Sequence, residues 1–330
     1  MEEKLLEIEN LHVMYKTVEE DVYALNGISF SLEKGETLGL VGETGAGKTT
    51  AALSIMRLLP DRVGFITEGD IRFEGKSLLK TNAAEMRAIR GSEISMIFQD
   101  PMTSLNPIYT VGTQIAEVIE LHNEGLSHAE VQKKVDEMLE MVGIPAVRKH
   151  EYPHQFSGGM KQRIIIAIAL ACTPKLLLAD EPTTALDVTI QAQVLDMMNE
   201  LKAKLGTAMM LITHDLGVVA QMCNTVAIIY AGEVIEYGTV EQIFEAENHH
   251  PYTVGLFGSI PDLTRKTRRL TPIDGLMPDP SARVSGCRFA ERCPRVCSLC
   301  EQMAPTVYEE DGHMIKCHIF AMPEKMKEVK

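Results

Sequence analysis

The stretch that most restricts what this chain can fold into is Gly42-Glu43-Thr44-Gly45-Ala46-Gly47-Lys48-Thr49. It fits the phosphate-loop pattern G-x-x-x-x-G-K-[ST] without a mismatch. The apolar run Thr37-Leu38-Gly39-Leu40-Val41 before it reads as a strand, and Thr50-Ala51-Ala52-Leu53-Ser54-Ile55-Met56 after it reads as a helix. Glycines in such a loop let the backbone curl until its N–H groups face phosphate oxygens. The helix opening near Lys48 adds free amides and a partial positive charge at the same spot. Lys48 then reaches the outer phosphates, and the Thr49 hydroxyl holds Mg²⁺. A bound nucleoside triphosphate is therefore expected, with Gly42, Glu43, Thr44, Gly45, Ala46, Gly47, Lys48, Thr49 and Thr50 around its phosphates. Tyr15, at the end of an earlier strand pattern, suits either stacking on the nucleotide base or ordinary half-burial.

A length of 330 residues allows one large domain with an appendage, or two modest domains. The chain carries no run of eighteen apolar residues, and Met1-Glu2-Glu3-Lys4 does not open a signal peptide, so a cytosolic chain is expected. The net charge of −14 argues against a general nucleic-acid binder. Charge and cysteine are both uneven. From Pro251 onward twelve Lys and Arg oppose ten Asp and Glu, a balance of +2 that leaves −16 for residues 1–250. Cys172 and Cys223 stand alone in apolar surroundings and read as packed thiols. Cys287, Cys293, Cys297, Cys300 and Cys317 cluster near the C-terminus, which in a reducing compartment suggests a metal or cluster site.

Leu5 to Met14 and Ala24 to Leu32 read as paired strands, joined by a turn at Glu33-Lys34-Gly35 to the phosphate-loop strand. Gly69 to Lys76 reads as a short antiparallel strand and Ile94 to Phe98 as a buried one ending at Gln99. From Val111 to Val142 apolar residues recur at i, i+3, i+4, which predicts a helical insertion, and Ser127 with Glu130 predicts a capping box inside it. Phe156-Ser157-Gly158-Gly159-Met160-Lys161-Gln162-Arg163 opens another helix. Lys175 to Glu181 is a continuous apolar strand ending in two carboxylates, as a central parallel strand does. A second such strand runs from Ala208 to Thr213 and ends at His214. Val226 to Tyr230 and Glu233 to Gly238 predict a hairpin across Ala231-Gly232. Residues 259–286, rich in Pro, Arg and Gly, read as a linker or loose extension.

Phosphate loop, Gln99, Ser157-Gly158-Gly159, Asp180-Glu181 and His214, in that order, resemble the ATP-binding subunits of ABC transporters over residues 4 to about 250. The resemblance implies an α/β fold: a P-loop ABC-type ATPase with an antiparallel β subdomain, a RecA-like parallel-sheet core and a helical insertion at about 102–155. It makes Glu181 the carboxylate that polarises the attacking water and Asp180 an Mg²⁺ residue. Gln99 becomes the glutamine that touches Mg²⁺ and senses the transporter, and His214 the switch histidine on the γ-phosphate. Ser157, Gly158 and Gly159 become the signature that caps ATP held by a second ATPase subunit, and Asp187 the aspartate that crosses the dimer. Phe156 and Met160 replace the usual Leu and Gln at the ends of that signature.

The tail, with Cys287-Arg288-Phe289, Arg292-Cys293-Pro294, Cys300 and Lys316-Cys317-His318, looks like that of dipeptide and oligopeptide importer ATPases. The resemblance implies an ATPase domain over 1–258 and a cysteine-rich extension over 259–330. Family spacing selects Cys287, Cys293, Cys300 and Cys317 and leaves Cys297 extra. Four thiolates suit a [4Fe–4S] cluster or tetrahedral zinc; the spacing lacks the paired C-x₂-C knuckles of zinc ribbons, which favours the cluster over zinc, with unligated thiols as a third reading. Lying far in sequence from the phosphate chemistry, it is expected to serve stability or assembly rather than ATP binding. The implied partners are a second ATPase subunit, two membrane-spanning permeases and an extracytoplasmic solute-binding protein, with the chain peripheral on the cytoplasmic face of the membrane. The rival reading, a soluble ABC-type ATPase working on nucleic acid or ribosomes, fits the acidic balance poorly. Importers of nickel or sugars belong to the same group.

Overall fold

Continuous apolar runs become parallel strands buried along their whole length. The computed structural model describes residues 4–184, 186–259 and 272–322, and part of the expected linker, 260–271, lies outside the described residues. In chain order the strands are β1 (Lys4–Lys16), β2 (Asp21–Glu33), β3 (Thr37–Val41), β4 (Gly64–Phe73), β5 (Lys76–Ser77), β6 (Ile94–Ile97), β7 (Leu176–Asp180), β8 (Ala208–Thr213), β9 (Thr225–Tyr230), β10 (Glu233–Thr239), β11 (Val307–Glu310) and β12 (His313–Lys316). The chain divides into two compact units. The first contains Ser31–Leu38 and Arg72–Thr213, and the second Glu7–Phe30, Gly39–Ile71 and the chain from His214 on.

In the first unit β6, β7 and β8 lie side by side in parallel, with Ile94 opposite Leu176 and Leu176 opposite Ala208. Every residue of these strands is buried, so no polar face interrupts the apolar pattern. The insertion forms as its periodicity predicts, with helices Val111–His122 and His128–Met141 burying Ile115, Ile119, Val131, Val135 and Leu139. The Ser127–Glu130 capping box is present: the Ser127 N–H donates to the Glu130 carboxylate at 2.7 Å. A helix at Ala83–Ile89 was not anticipated, although Asn82 and Glu85 form a second capping box at its start.

In the second unit β9 and β10 form the expected hairpin, Tyr230 opposite Glu233, with an irregularity between Val234 and Glu236. The tail beyond the expected linker of 259–286 carries two strands for which the sequence gives no periodic signal. It adds β12 antiparallel to β10, with Tyr237 opposite Met314, and then β11 to β12. Each strand has four residues, too short to show a period. The turn between them was readable, because Asp311-Gly312 has positive φ at both positions (51° and 81°), the Asp-Gly signature of a tight hairpin.

One buried carboxylate fastens this tail to the unit. Glu236 has no exposed surface. It accepts hydrogen bonds from His249 Nδ1 (2.7 Å), the His250 N–H (2.8 Å), the Thr253 hydroxyl (2.5 Å) and, from β12, His313 Nε2 (3.0 Å). Burial alone would raise its pKa, but these donors outweigh that and hold it at about 2. Burial also pulls the neighbouring His250 down to about 4 despite the Glu236 charge. Both groups make the fold acid-sensitive. His250 must stay neutral, so stability falls as pH drops from about 6.5 toward 4, and Glu236 adds a loss from about 4.5 toward 2. His249, raised by its bond to Glu236, acts oppositely, contributing below about 6.5 and losing that contribution as pH rises through its folded value. Glu236→Gln is expected to cost about 3 kcal/mol at pH 7 and to flatten the loss below pH 4.5. Thermal melts across pH check this, and a variant with wild-type melting temperature and acid slope contradicts it.

Candidate functional site

The phosphate loop sits between β3, fully buried, and the helix Lys48–Ile55. Its first and last glycines are required by packing. A Cβ on Gly42 would run into the Ile229 carbonyl, and one on Gly47 would lie 2.7 Å from the Ala24 carbonyl at a φ of +103°. The loop is thereby pressed against two strands while Thr44 and Gly45 stay exposed. Lys48, 6% exposed, donates to the carbonyls of Gly42 (2.7 Å) and Glu43 (2.9 Å), so its ammonium lies across the loop. Thr49 and Thr50 are half-buried in the first turn of the helix. Tyr15 is half-buried at the end of β1, its hydroxyl 3.2 Å from that of Thr50.

In the first unit, β7 delivers Asp180 at its carboxyl end with 1% exposure. The next residue, Glu181, has φ +47°, a left-handed conformation that costs a non-glycine residue about 1–3 kcal/mol and clusters at functional sites. Its N–H donates to the Ile212 carbonyl at 2.9 Å. Its Oε2 accepts from Thr184 Oγ1 at 2.9 Å and from Gln99 Nε2 at 3.3 Å. Gln99 and Glu181, 82 positions apart, are thus brought together. The hydroxyl of Thr49, the amide oxygen of Gln99 and the carboxylate of Asp180 are hard oxygen donors of the kind Mg²⁺ takes.

Ser157 caps the helix Gly158–Leu170, its hydroxyl accepting from the Met160 N–H at 3.4 Å. A Cβ on Gly159 would come within 2.5 Å of Ile190 Cγ2. The two unusual signature residues share a partner: the Arg148 guanidinium lies 4.3 Å over the Phe156 ring and donates to Met160 Sδ at 3.5 Å. Asp187 caps the helix Val188–Leu205 through the Ile190 N–H. His214 is exposed just beyond β8.

Two residues on the phosphate loop's neighbours escaped the sequence reading. The Glu43 N–H donates to the Tyr252 hydroxyl at 3.0 Å, and the Glu43 carboxylate pairs with Arg292. No local pattern signals contacts spanning 209 and 249 positions.

Burial pushes the thiols of Cys287 and Cys293 up, that of Cys300 to about 11 and that of Cys317 to about 12. Cys297, set aside by spacing, has its Sγ 3.5 Å from that of Cys300. Among the described residues, three ligand atoms within 4.8 Å of one another occur only at Glu236, His249 and His313.

Residues 25–184 match the family described as ABC transporter, and residues 235–300 match the oligopeptide/dipeptide transporter C-terminal region. The chain is 50% identical over 318 residues to the dipeptide transport ATP-binding protein DppD of Bacillus subtilis (strain 168), covering 96% of this chain and 94% of that protein. It is 48% identical over 317 residues to the oligopeptide transport ATP-binding protein OppD of the same organism, covering 95% and 88%. Among solved structures it resembles a dimeric ATP-binding cassette in a post-hydrolysis state bound to ADP and Pi. That likeness has a TM-score of 0.64 and 28% identity, over 71% of this chain and 98% of that one. These matches correct the iron–sulfur expectation: Cys287, Cys293 and Cys300 fall inside a region affiliated to peptide transport, and neither that family nor these relatives support an iron–sulfur centre. With half of its residues shared along nearly its whole length, the chain belongs to the ATP-binding subunits of dipeptide and oligopeptide ABC transporters.

Proposed function

We propose that this chain is the ATP-hydrolysing subunit that powers dipeptide or oligopeptide import through a membrane ABC transporter. The observation that carries this is the pairing, in one chain, of a sterically fixed phosphate loop with a peptide-transporter C-terminal region. ATP is the substrate. The amides from Gly42 to Thr50 bind its phosphates, Lys48 places a point charge on the outer ones, and Tyr15 lines the base side. Thr49, Gln99 and Asp180 hold Mg²⁺, which when bound neutralises charge on the β- and γ-phosphate oxygens. Glu181 accepts a proton from the attacking water, and its contacts with Thr184 and Gln99 support that role by orienting the carboxylate. His214 contacts the γ-phosphate.

Ser157, Gly158 and Gly159 serve ATP held by a second ATPase subunit, since a helix N-terminus of small residues is a second anion site. Two permeases and an extracytoplasmic solute-binding protein complete the importer, with residues 1–258 as ATPase and 259–330 as extension. No helix among the described residues is long and apolar enough to cross a membrane, which fits a peripheral subunit on the cytoplasmic face.

Lys48→Ala is expected to weaken ATP binding at least about tenfold, the scale of a hydrogen bond to a charged group. Glu181→Gln should keep affinity and slow turnover about 100-fold or more, as loss of a general base does. Titration with ATP and steady-state hydrolysis in the assembled transporter separate the two, and normal turnover by Glu181→Gln sinks its assignment. Gly158→Asp, which sets an anion against the partner's γ-phosphate, should leave the affinity of the isolated chain unchanged and abolish activity that rises with concentration. Full activity of dilute monomer contradicts the shared site.

A further inference from the structure

Glu43 is an acid inside a loop built for anions. Left to itself, its carboxylate would repel the phosphates that the surrounding amides attract. Arg292 takes it up fork to fork, Nη1 to Oε2 at 2.8 Å and Nη2 to Oε1 at 3.0 Å. The Arg292 side chain is 6% exposed and that of Glu43 30%. The other donors of the guanidinium are also engaged: Nε to the Asp274 carbonyl (3.0 Å), Nη2 to the Ile273 carbonyl (3.3 Å) and Nη1 to the Tyr230 hydroxyl (3.4 Å). Its aim is set by an aromatic cluster. Phe289, whose carbonyl accepts the Arg292 N–H at 3.1 Å, stands edge-on to Tyr230 (5.2 Å) and Tyr252 (5.6 Å). Tyr252 in turn accepts the Glu43 N–H, while the Glu43 carbonyl receives Lys48. Side chain, amide and carbonyl of one loop residue are therefore each held, two of them from the C-terminal region.

We propose that Arg292 and Tyr252 are positioning residues for the phosphate loop, through which the C-terminal region neutralises Glu43 and sets the conformation that accepts ATP. This rests on the loop being the ATP site. It assigns the C-terminal region a part in nucleotide affinity, where the sequence leads one to expect the cysteine tail to act on stability or assembly.

The test measures binding of an N-methylanthraniloyl-labelled ATP with Mg²⁺ to the full chain, with thermal melts as a check on folding. Arg292→Ala strands the carboxylate and is expected to raise the dissociation constant about tenfold, within the range for coupled sites. Adding Glu43→Gln to that variant removes the stranded charge and should restore most of the affinity. A residue that only supports the fold gives no such rescue, so a double variant as weak as Arg292→Ala overturns the proposal. Tyr252→Phe should weaken binding less than Arg292→Ala and resist rescue by Glu43→Gln, because it acts on the amide. If Arg292→Ala does not fold, Glu43→Gln alone decides: leaving the guanidinium beside the phosphates, it should tighten binding about threefold, about 0.65 kcal/mol, and unchanged or weaker binding refutes the neutralising role. Lys48→Ala in the same assay separates the failures. If it binds as wild type the ATP site itself is misplaced, and if it loses binding while Arg292→Ala keeps wild-type affinity only the clamp is wrong.

Discussion

A loop that binds phosphate through its amides must be held rigid without covering them, and here the holding comes from backbone pressed on backbone. The Ile229 carbonyl leaves no room for a side chain at Gly42, and the Ala24 carbonyl leaves none at Gly47. With both ends of the loop fixed, the curvature between them is decided, and Lys48 spans the carbonyls of Gly42 and Glu43. The neighbouring strands can press so closely because β3 is buried along its whole length and β9 nearly so. Core packing and anion binding are thus one constraint seen from two sides.

The carboxylate end of β7 follows a related logic. A parallel strand buried on both faces can afford polar residues only where it ends, and Asp180 and Glu181 stand there. The left-handed backbone at Glu181 turns its side chain toward Thr184 and Gln99 and away from the strand line. Strain at that position is tolerated because the amide is anchored on Ile212.

What could be read in advance was local. The strand, loop and helix around Lys48 announce themselves within twenty residues, and the insertion helices carry period and caps together. The Ser157 cap and the two strand-end carboxylates also stand where their patterns put them. What could not be read was long-range or short-lived in sequence. Four-residue strands show no alternation, and Arg292 gives no hint that it seeks Glu43. The iron–sulfur expectation is corrected for a different reason: five clustered cysteines point to a metal or cluster by composition, whereas the region's affiliation is to peptide transport. Asn82 with Glu85 and Asp311 with Gly312 are local signals too, marking a helix start and a tight turn.

The bond between Arg292 and Glu43 also sets an order of events during synthesis. Its partners are separated by 249 positions, so a ribosome adding about 5–20 residues per second makes the second roughly 12–50 s after the first. Through that interval the nascent chain carries a finished loop sequence whose acid lacks this counter-charge. The cassette can collapse around β3 early, but the loop takes its final electrostatic form only when the aromatic cluster around Phe289 has docked. Full affinity for nucleotide is then a late property relative to the motif itself, completed only once the chain 249 positions beyond Glu43 has been made.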